Sequence, residues 1–300
     1  MGTNPNDPEN GDRGRTAEEA AALALLLARR RYDLPQLIRQ TGARTKPFRR
    51  IGATEALRSS MAGPYFDLVR AWQAQRPALL TVYASALPTG NMGEVQRQVD
   101  ASAAEIERQL YGLKWRFPAI LTRIEQWHRL EWLRRVRTST GLDVGVFTAQ
   151  SDVAETVDNT RVWNEQLMDD VHQQAKGRIS AGLIAALAVG GFVRRSDAPR
   201  GADTVGLSAD EVVTDAFAKA KQRSAAIGVD QADRVIGGMT TARRQAAGLN
   251  LWVWRHLDPQ RHPRPEHQAR DGKVYSDATA PRDGVGVLPF CKCWSEPLWQ

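Results

Sequence analysis

Between Met92 and Arg137 the apolar residues fall at Val95, Val99, Ala103, Ile106, Leu110, Leu113, Phe117, Ile120, Ile124 and Trp127. The steps are of four and three, the spacing of one face of an α-helix, and a strand with its period of two cannot produce them. A one-sided helix of this length must bury its stripe against other helices, so the pattern restricts the chain to a largely helical architecture. Pro118 sits inside it. Proline lacks an N–H and crowds the preceding turn, so a kink or two abutting helices is expected there, paired in coiled-coil fashion. The aromatic residues Trp115, Phe117, Trp127 and Trp132 read as packing in the core or against a partner helix rather than as a cofactor box.

Helix signals continue on both sides. Thr16 with Glu19, Asp152 with Glu155 and Ser208 with Glu211 have the spacing of capping boxes. The third opens a helix that Gly228 is expected to end. Asp230 would cap the next helix, which Gly248 closes in the C′ position. Residues 1–15 read as a disordered tail and 190–206 as a linker. After Gly248 the texture changes: residues 249–300 hold four of the nine tryptophans, both cysteines and three of the five histidines. Leu249 to Trp254 alternates as a strand does. The expected fold class is mainly α, an elongated helical body with a small C-terminal α+β module. Its parts would be the tail 1–15, the helical body 16–206 and a terminal domain 207–300.

With 42% hydrophobic residues in 300, the chain can build a core, which excludes wholesale disorder. The longest apolar run, Ile179 to Phe192, contains Ser180 and Gly182 and is too short for a bilayer. No basic-then-apolar leader opens the chain, and two cysteines cannot make a disulfide scaffold, so synthesis in a reducing cytoplasm is expected. Net charge is +7. Arg29, Arg30, Arg31, Arg39, Arg44, Lys46, Arg49 and Arg50 stand against a single anion, Asp33, and Arg123, Arg129, Arg134, Arg135 and Arg137 form a second cluster. Solvated faces would account for both. Contact with DNA phosphates or an acidic protein surface would also use them. No zinc finger, basic zipper or aromatic-studded sheet motif accompanies them.

The chemistry-bearing residues gather near the C-terminus. Cys291 and Cys293 could hold a metal with His267, and His262 or His256 could add a fourth ligand; zinc suits such a donor set. Two buried, reduced cysteines packed on tryptophans are the plainer alternative. Asp258, His262, His267 and Asp271 could instead form a metal-dependent or general-base site acting on nucleic acid. Cys291 with His267 as base is a further catalytic pairing by residue type. No phosphate-binding loop, nucleophile elbow or paired helical histidine motif supports an enzyme.

The order Trp254-Arg255, Asp258, Arg264-Pro265 with His267, Asp271-Gly272, then Cys291-Lys-Cys293 resembles the C-terminal module of the phage head morphogenesis family, the minor head proteins similar to the F protein of phage Mu. The resemblance covers about residues 208–300. Arg270, Phe290 and Lys292 depart from its usual leucine, asparagine and arginine. Where some relatives carry further metal ligands, this chain has Arg264, His267 and Leu288. The resemblance implies a structural, non-catalytic virion protein. It would work in the head or neck with the portal, the major capsid protein or other head proteins, and packaged double-stranded DNA as partners. Several copies could surround a portal ring, and no membrane is involved. Trp254, Arg255, Asp258, Arg264, Asp271 and Gly272 would be its structural motif, with no cofactor beyond a zinc ion at His267, Cys291 and Cys293. A helical adaptor outside any virus is the remaining class.

Overall fold

The computed structural model describes residues 33–144, 153–188, 193–194, 206–257 and 264–300. The expected tail, the Thr16–Glu19 capping box, Asp152 and most of the expected linker lie outside the described residues, as do Arg29, Arg30, Arg31, Asp258 and His262.

Helix α1 (Leu34–Thr41) starts where the Asp33 carboxylate accepts the Gln36 N–H at 2.8 Å and stops at Gly42, whose φ of 63° only glycine adopts at no cost. A strap without regular structure follows to Thr54. Helices α2 (Glu55–Ala74), α3 (Arg76–Ala86), α4 (Met92–Lys114), α5 (Phe117–Thr140) and α6 (Ala154–Ala188) come next. The two-residue strands β1 (Val193–Arg194) and β2 (Gly206–Leu207) pair antiparallel within the stretch expected to be a linker. Then comes α7 (Ala209–Ala246), 38 residues and so about 57 Å long.

Pairs of touching residues give the helix directions. Gly182 meets Val212 and Gly238 meets Thr156, so α6 and α7 run antiparallel. Gly228 meets Ala62 and Arg58 meets Asp233, which makes α2 antiparallel to α7 as well. The Tyr65 hydroxyl donates to Asn164 Oδ1 at 2.8 Å, and Trp72 stacks on His172 at 5.4 Å, so α2 and α6 are parallel. Helix α4 lies antiparallel on α6, with Lys176 on Asp100 and Lys114 on Asp169. The core runs through these contacts, with Leu68, Trp72, Val99, Ile106, Ile179, Val213 and Met239 nearly or fully buried.

Two helix expectations are corrected. Gly228 does not end a helix, and Asp230 does not cap one: α7 continues through both. Gly228 is there because α2 passes so close that a Cβ would stand 2.5 Å from Ala62 Cβ. The Asp230 carboxylate instead accepts the Phe290 N–H from the C-terminal module. Pro118 does separate two helices, standing in the first turn of α5. These do not form a coiled-coil-like pair; α4 lies on α2, α3 and α6, while α5 lies on α2, α6 and α7. Of the aromatic stripe, Phe117 and Trp132 are buried, Trp127 is half-buried and Trp115 is exposed.

Gly248, at φ 74°, closes α7. Its N–H donates to the Gln245 carbonyl and the Leu249 N–H to the Arg244 carbonyl, which caps the free carbonyls of the last turn. Strand β3 (Leu251–Arg255) then pairs antiparallel with β4 (Val274–Ser276) on one side and β5 (Trp294–Pro297) on the other; the short helix α8 (Pro265–Gln268) lies between β3 and β4. The protein is therefore mainly α with a small C-terminal α+β module. Trp252, Trp254, Cys291 and Cys293 form that module's own core. Trp294 and Trp299 pack against the helical core instead, and Trp299 Nε1 donates to the Lys46 carbonyl at 2.8 Å. Buried Arg244 at the end of α7 is ion-paired to Asp277 just past β4.

Candidate metal centre

Trp254 lies in the middle strand with no exposed surface. Its N–H and C=O are both taken by the turn ahead of β4, from the Lys273 carbonyl at 2.9 Å and the Gly272 N–H at 2.9 Å. Gly272 has φ 77°, which this tight return to the sheet demands. The return places α8 against the Trp254 ring, where the His267 ring meets it edge-on at 5.1 Å. Pro265 starts α8 with its fixed φ, and His267 follows two residues later, 1% exposed. From the opposite side the chain enters β5 through Cys291 and Cys293. Two residues apart in near-extended chain, their side chains leave the same side.

The three side chains converge. His267 Nδ1 stands 3.3 Å from Cys291 Sγ and 3.6 Å from Cys293 Sγ, and the three ligand atoms lie within 4.8 Å of one another, all in buried residues. His256 lies beside the cluster rather than in it, its Nδ1 3.5 Å from Cys293 Sγ alone. Its position is set by Asp271, whose carboxylate accepts the His256 N–H at 2.8 Å. Hydrogen bonds from Cys293 and Gly286 lower the Cys291 thiol to about 5, against the opposing effect of burial. On the far side of the ring, His267 Nε2 is 3.3 Å from Asp283 Oδ2. Asp283 is held by Arg270 at 2.8 Å, which keeps its carboxyl below the usual carboxylate range, and the Arg270 guanidinium lies 5.0 Å over the Trp254 ring. A buried histidine with one nitrogen on two sulfurs and the other on a supported carboxylate has the donor arrangement of a metal ligand with its outer partner in place. This His/Cys/Cys cluster can hold a metal ion.

The rest of the expected motif is spent inside the module. Arg255 pairs with Glu296 across the β3–β5 ladder, and Arg264 Nη2 donates to the Pro289 carbonyl at 2.9 Å. Of the four residues of the hydrolytic reading, Asp258 and His262 are outside the described residues, His267 faces the cysteines, and the Asp271 carboxylate is on a backbone N–H.

The basic segment divides. Arg39, Arg44, Lys46 and Arg49 are exposed along α1 and the strap. Arg50 turns inward toward Asp233 and borders, with Cys291 and Cys293, a void of about 20 Å³. Burial lowers its pKa and Asp233 opposes that shift. In the second cluster Arg134 and Arg135 pair with Glu131. Residue types and order drew attention to His267, Cys291, Cys293 and His256. They did not point to Asp283, in a loop of Pro, Arg, Asp and Gly whose fold depends on the partners it meets, nor to Arg50 or Asp230.

Comparison of the chain with known protein families, characterised proteins and solved structures finds no match.

Proposed function

We propose that the chain is a structural minor head protein of a tailed phage or prophage, built to dock on the portal or the inner head and to contact packaged DNA. The ordered motif run from Trp254 to Cys293 suggests the family. One structural observation supports a structural role over an enzymatic one: among the described residues, the motif's polar side chains are turned on the module itself. Arg255 is on Glu296, Arg264 on the Pro289 carbonyl, Asp271 on the His256 N–H, and His267 between two thiols and Asp283. A substrate-facing acid or base would have to leave one of these partners.

Within this reading the cluster binds zinc. Bonds of about 2.3 Å to sulfur and 2.05 Å to nitrogen at tetrahedral angles imply sulfur–nitrogen edges of about 3.6 Å. The His267 distances of 3.3 and 3.6 Å to the two sulfurs match them, so these three side chains would supply three of the four ligands. Zinc would lock α8, β3 and the lead into β5 together. Elemental analysis of purified protein is expected to give one zinc per chain, lost in His267→Ala; metal-free protein at every stage of purification would remove the zinc assignment. Arg39, Arg44, Lys46 and Arg49 are the described cations placed to meet phosphate, with Arg29, Arg30 and Arg31 as the rest of that contact. The overall role is tested by co-expression with portal and capsid proteins and mass spectrometry of purified heads. The chain should be a stoichiometric head component; its absence from heads, with turnover of DNA by the free protein, would refute the assignment.

A further inference from the structure

A groove of about 1170 Å³ lies along α6 and α7 and is closed at one end by the loop ahead of Cys291. Its apolar lining includes Val171 and Ala175 on α6, Ala220 and Val229 on α7, and Phe290 on the loop. Its cations are Arg178, Lys219, Arg223, Arg264 and Lys292, and no carboxylate is among its described lining residues. Arg223 pairs with Asp170 and Lys219 with Asp215 nearby. Arg178 and Lys292 have no ion pair among the described residues.

Phe290 is the odd member. It is 51% exposed, and its φ of 59° is the one positive value at a non-glycine position among the described residues. A bulky residue pays conformational strain there, and a ring left half exposed recovers only part of it by burial. The strained backbone is pinned to α7 by the buried Asp230 carboxylate, which accepts the Phe290 N–H at 2.5 Å. The fold thus holds an aromatic ring at the mouth of a cationic, apolar-floored groove.

We propose that this groove is a docking site for an acidic amphipathic helix of a partner protein. Charge complementarity fixes the occupant: its carboxylates meet Arg178 and Lys292 while its apolar side chains fill the floor and cover Phe290. From Ala220 to Val229 the floor spans about 13 Å, two to three turns of helix, which suits apolar anchors at i, i+4 and i+7. Duplex DNA would use the cations but has no apolar side chains for the floor, because its contacts are phosphate oxygens. Nothing in the groove depends on the head-protein reading.

The test is fluorescence anisotropy of the full chain with a labelled synthetic peptide of about 18 residues, leucine on one helical face and glutamate elsewhere. Saturable binding is expected, and a peptide of the same composition scrambled to remove the apolar face should bind roughly tenfold more weakly. The double variant Arg178→Glu/Lys292→Glu, at two positions without ion-pair partners among the described residues, should also lose roughly tenfold. Phe290→Gly relaxes the backbone and keeps the Asp230 contact, so its melting temperature should not fall, yet it should weaken peptide binding severalfold. Absence of saturable binding would overturn the proposal. So would wild-type affinity in both variants, tighter binding of a duplex oligonucleotide that is indifferent to Phe290→Gly, or self-association of the chain that Phe290→Gly abolishes while the peptide does not bind.

Discussion

At the scale of single residues, the side chains that specify the packing are polar. His128 has no exposed surface. Its Nδ1 accepts the Arg243 Nε proton at 3.1 Å, and its Nε2 donates to Thr240 Oγ1 at 3.0 Å, while Thr240 passes its own proton to the Ile236 carbonyl. Arg243 is neutralised by Glu125 at 2.5 Å. Both ring nitrogens are occupied by a neutral imidazole, and burial with the Arg243 charge lowers its pKa from 6.5 to about 3. The unfolded chain takes up this proton near 6.5 and the folded one does not. The stabilisation is therefore complete above 6.5 and is lost progressively as pH falls toward 3. Between pH 7 and pH 5 the loss from this residue should be about 2 kcal/mol. Urea unfolding at both values should show it as a difference between wild type and His128→Gln, whose pH dependence should be shallower; equal slopes would mean that His128 is protonated in the fold. Asp283 offers a second prediction. Asp283→Asn retains the shape but weakens the charge behind His267, and competition with a chelator should show zinc affinity reduced about 10- to 100-fold.

At the scale of elements, small residues set how closely the helices approach. Gly228 and Gly237 lie in one helix, yet an added Cβ would meet Ala62 backbone at 2.8 Å at the first and nothing within 4 Å at the second. Gly228→Ala should cost about 1–3 kcal/mol by forcing α2 and α7 apart, whereas Gly237→Ala should gain up to about 1 kcal/mol from helix propensity. Thermal unfolding of the two variants checks the contrast, and equal effects would deny the close crossing. The same glycine shows where sequence reading fails. Val95, Val99, Ala103, Ile106 and Leu110 are all buried along α4, because local periodicity alone decides that face. Gly248 and the β3 strand were likewise legible from local chemistry. Gly228 reads as a stop until α2 is known to pass over it. In α6 the buried face carries Asn164, Met168 and His172 among Val171, Ile179, Leu183 and Leu187, while Trp163 is exposed. Asn164 is buried because Tyr65 and Gln231 satisfy its amide, a long-range fact that no window of sequence contains. The site divides in the same way. His267, Cys291 and Cys293 declare themselves by residue type, whereas Asp283 and Arg50 reach the cluster only through the fold.

At the scale of the molecule, α7 is shared. Most of its length, from Val212 to Gly238, packs against α2 and α6, and its last turn carries Arg243 into the bundle and Arg244 into the sheet module. Trp299 donates to the Lys46 carbonyl, Arg244 is paired with Asp277, and Phe290 is tied to Asp230, so bundle and module are stitched at several points. Coincident urea transitions by far-UV circular dichroism and tryptophan fluorescence are therefore expected; two separated transitions would show the module to be an independent unit. Co-purification with an assembled portal ring tests the head-protein reading most directly. In near-physiological salt the chain should elute with the ring at a fixed ratio of copies per ring. Elution of the chain entirely apart from the ring, with both proteins folded, would contradict it.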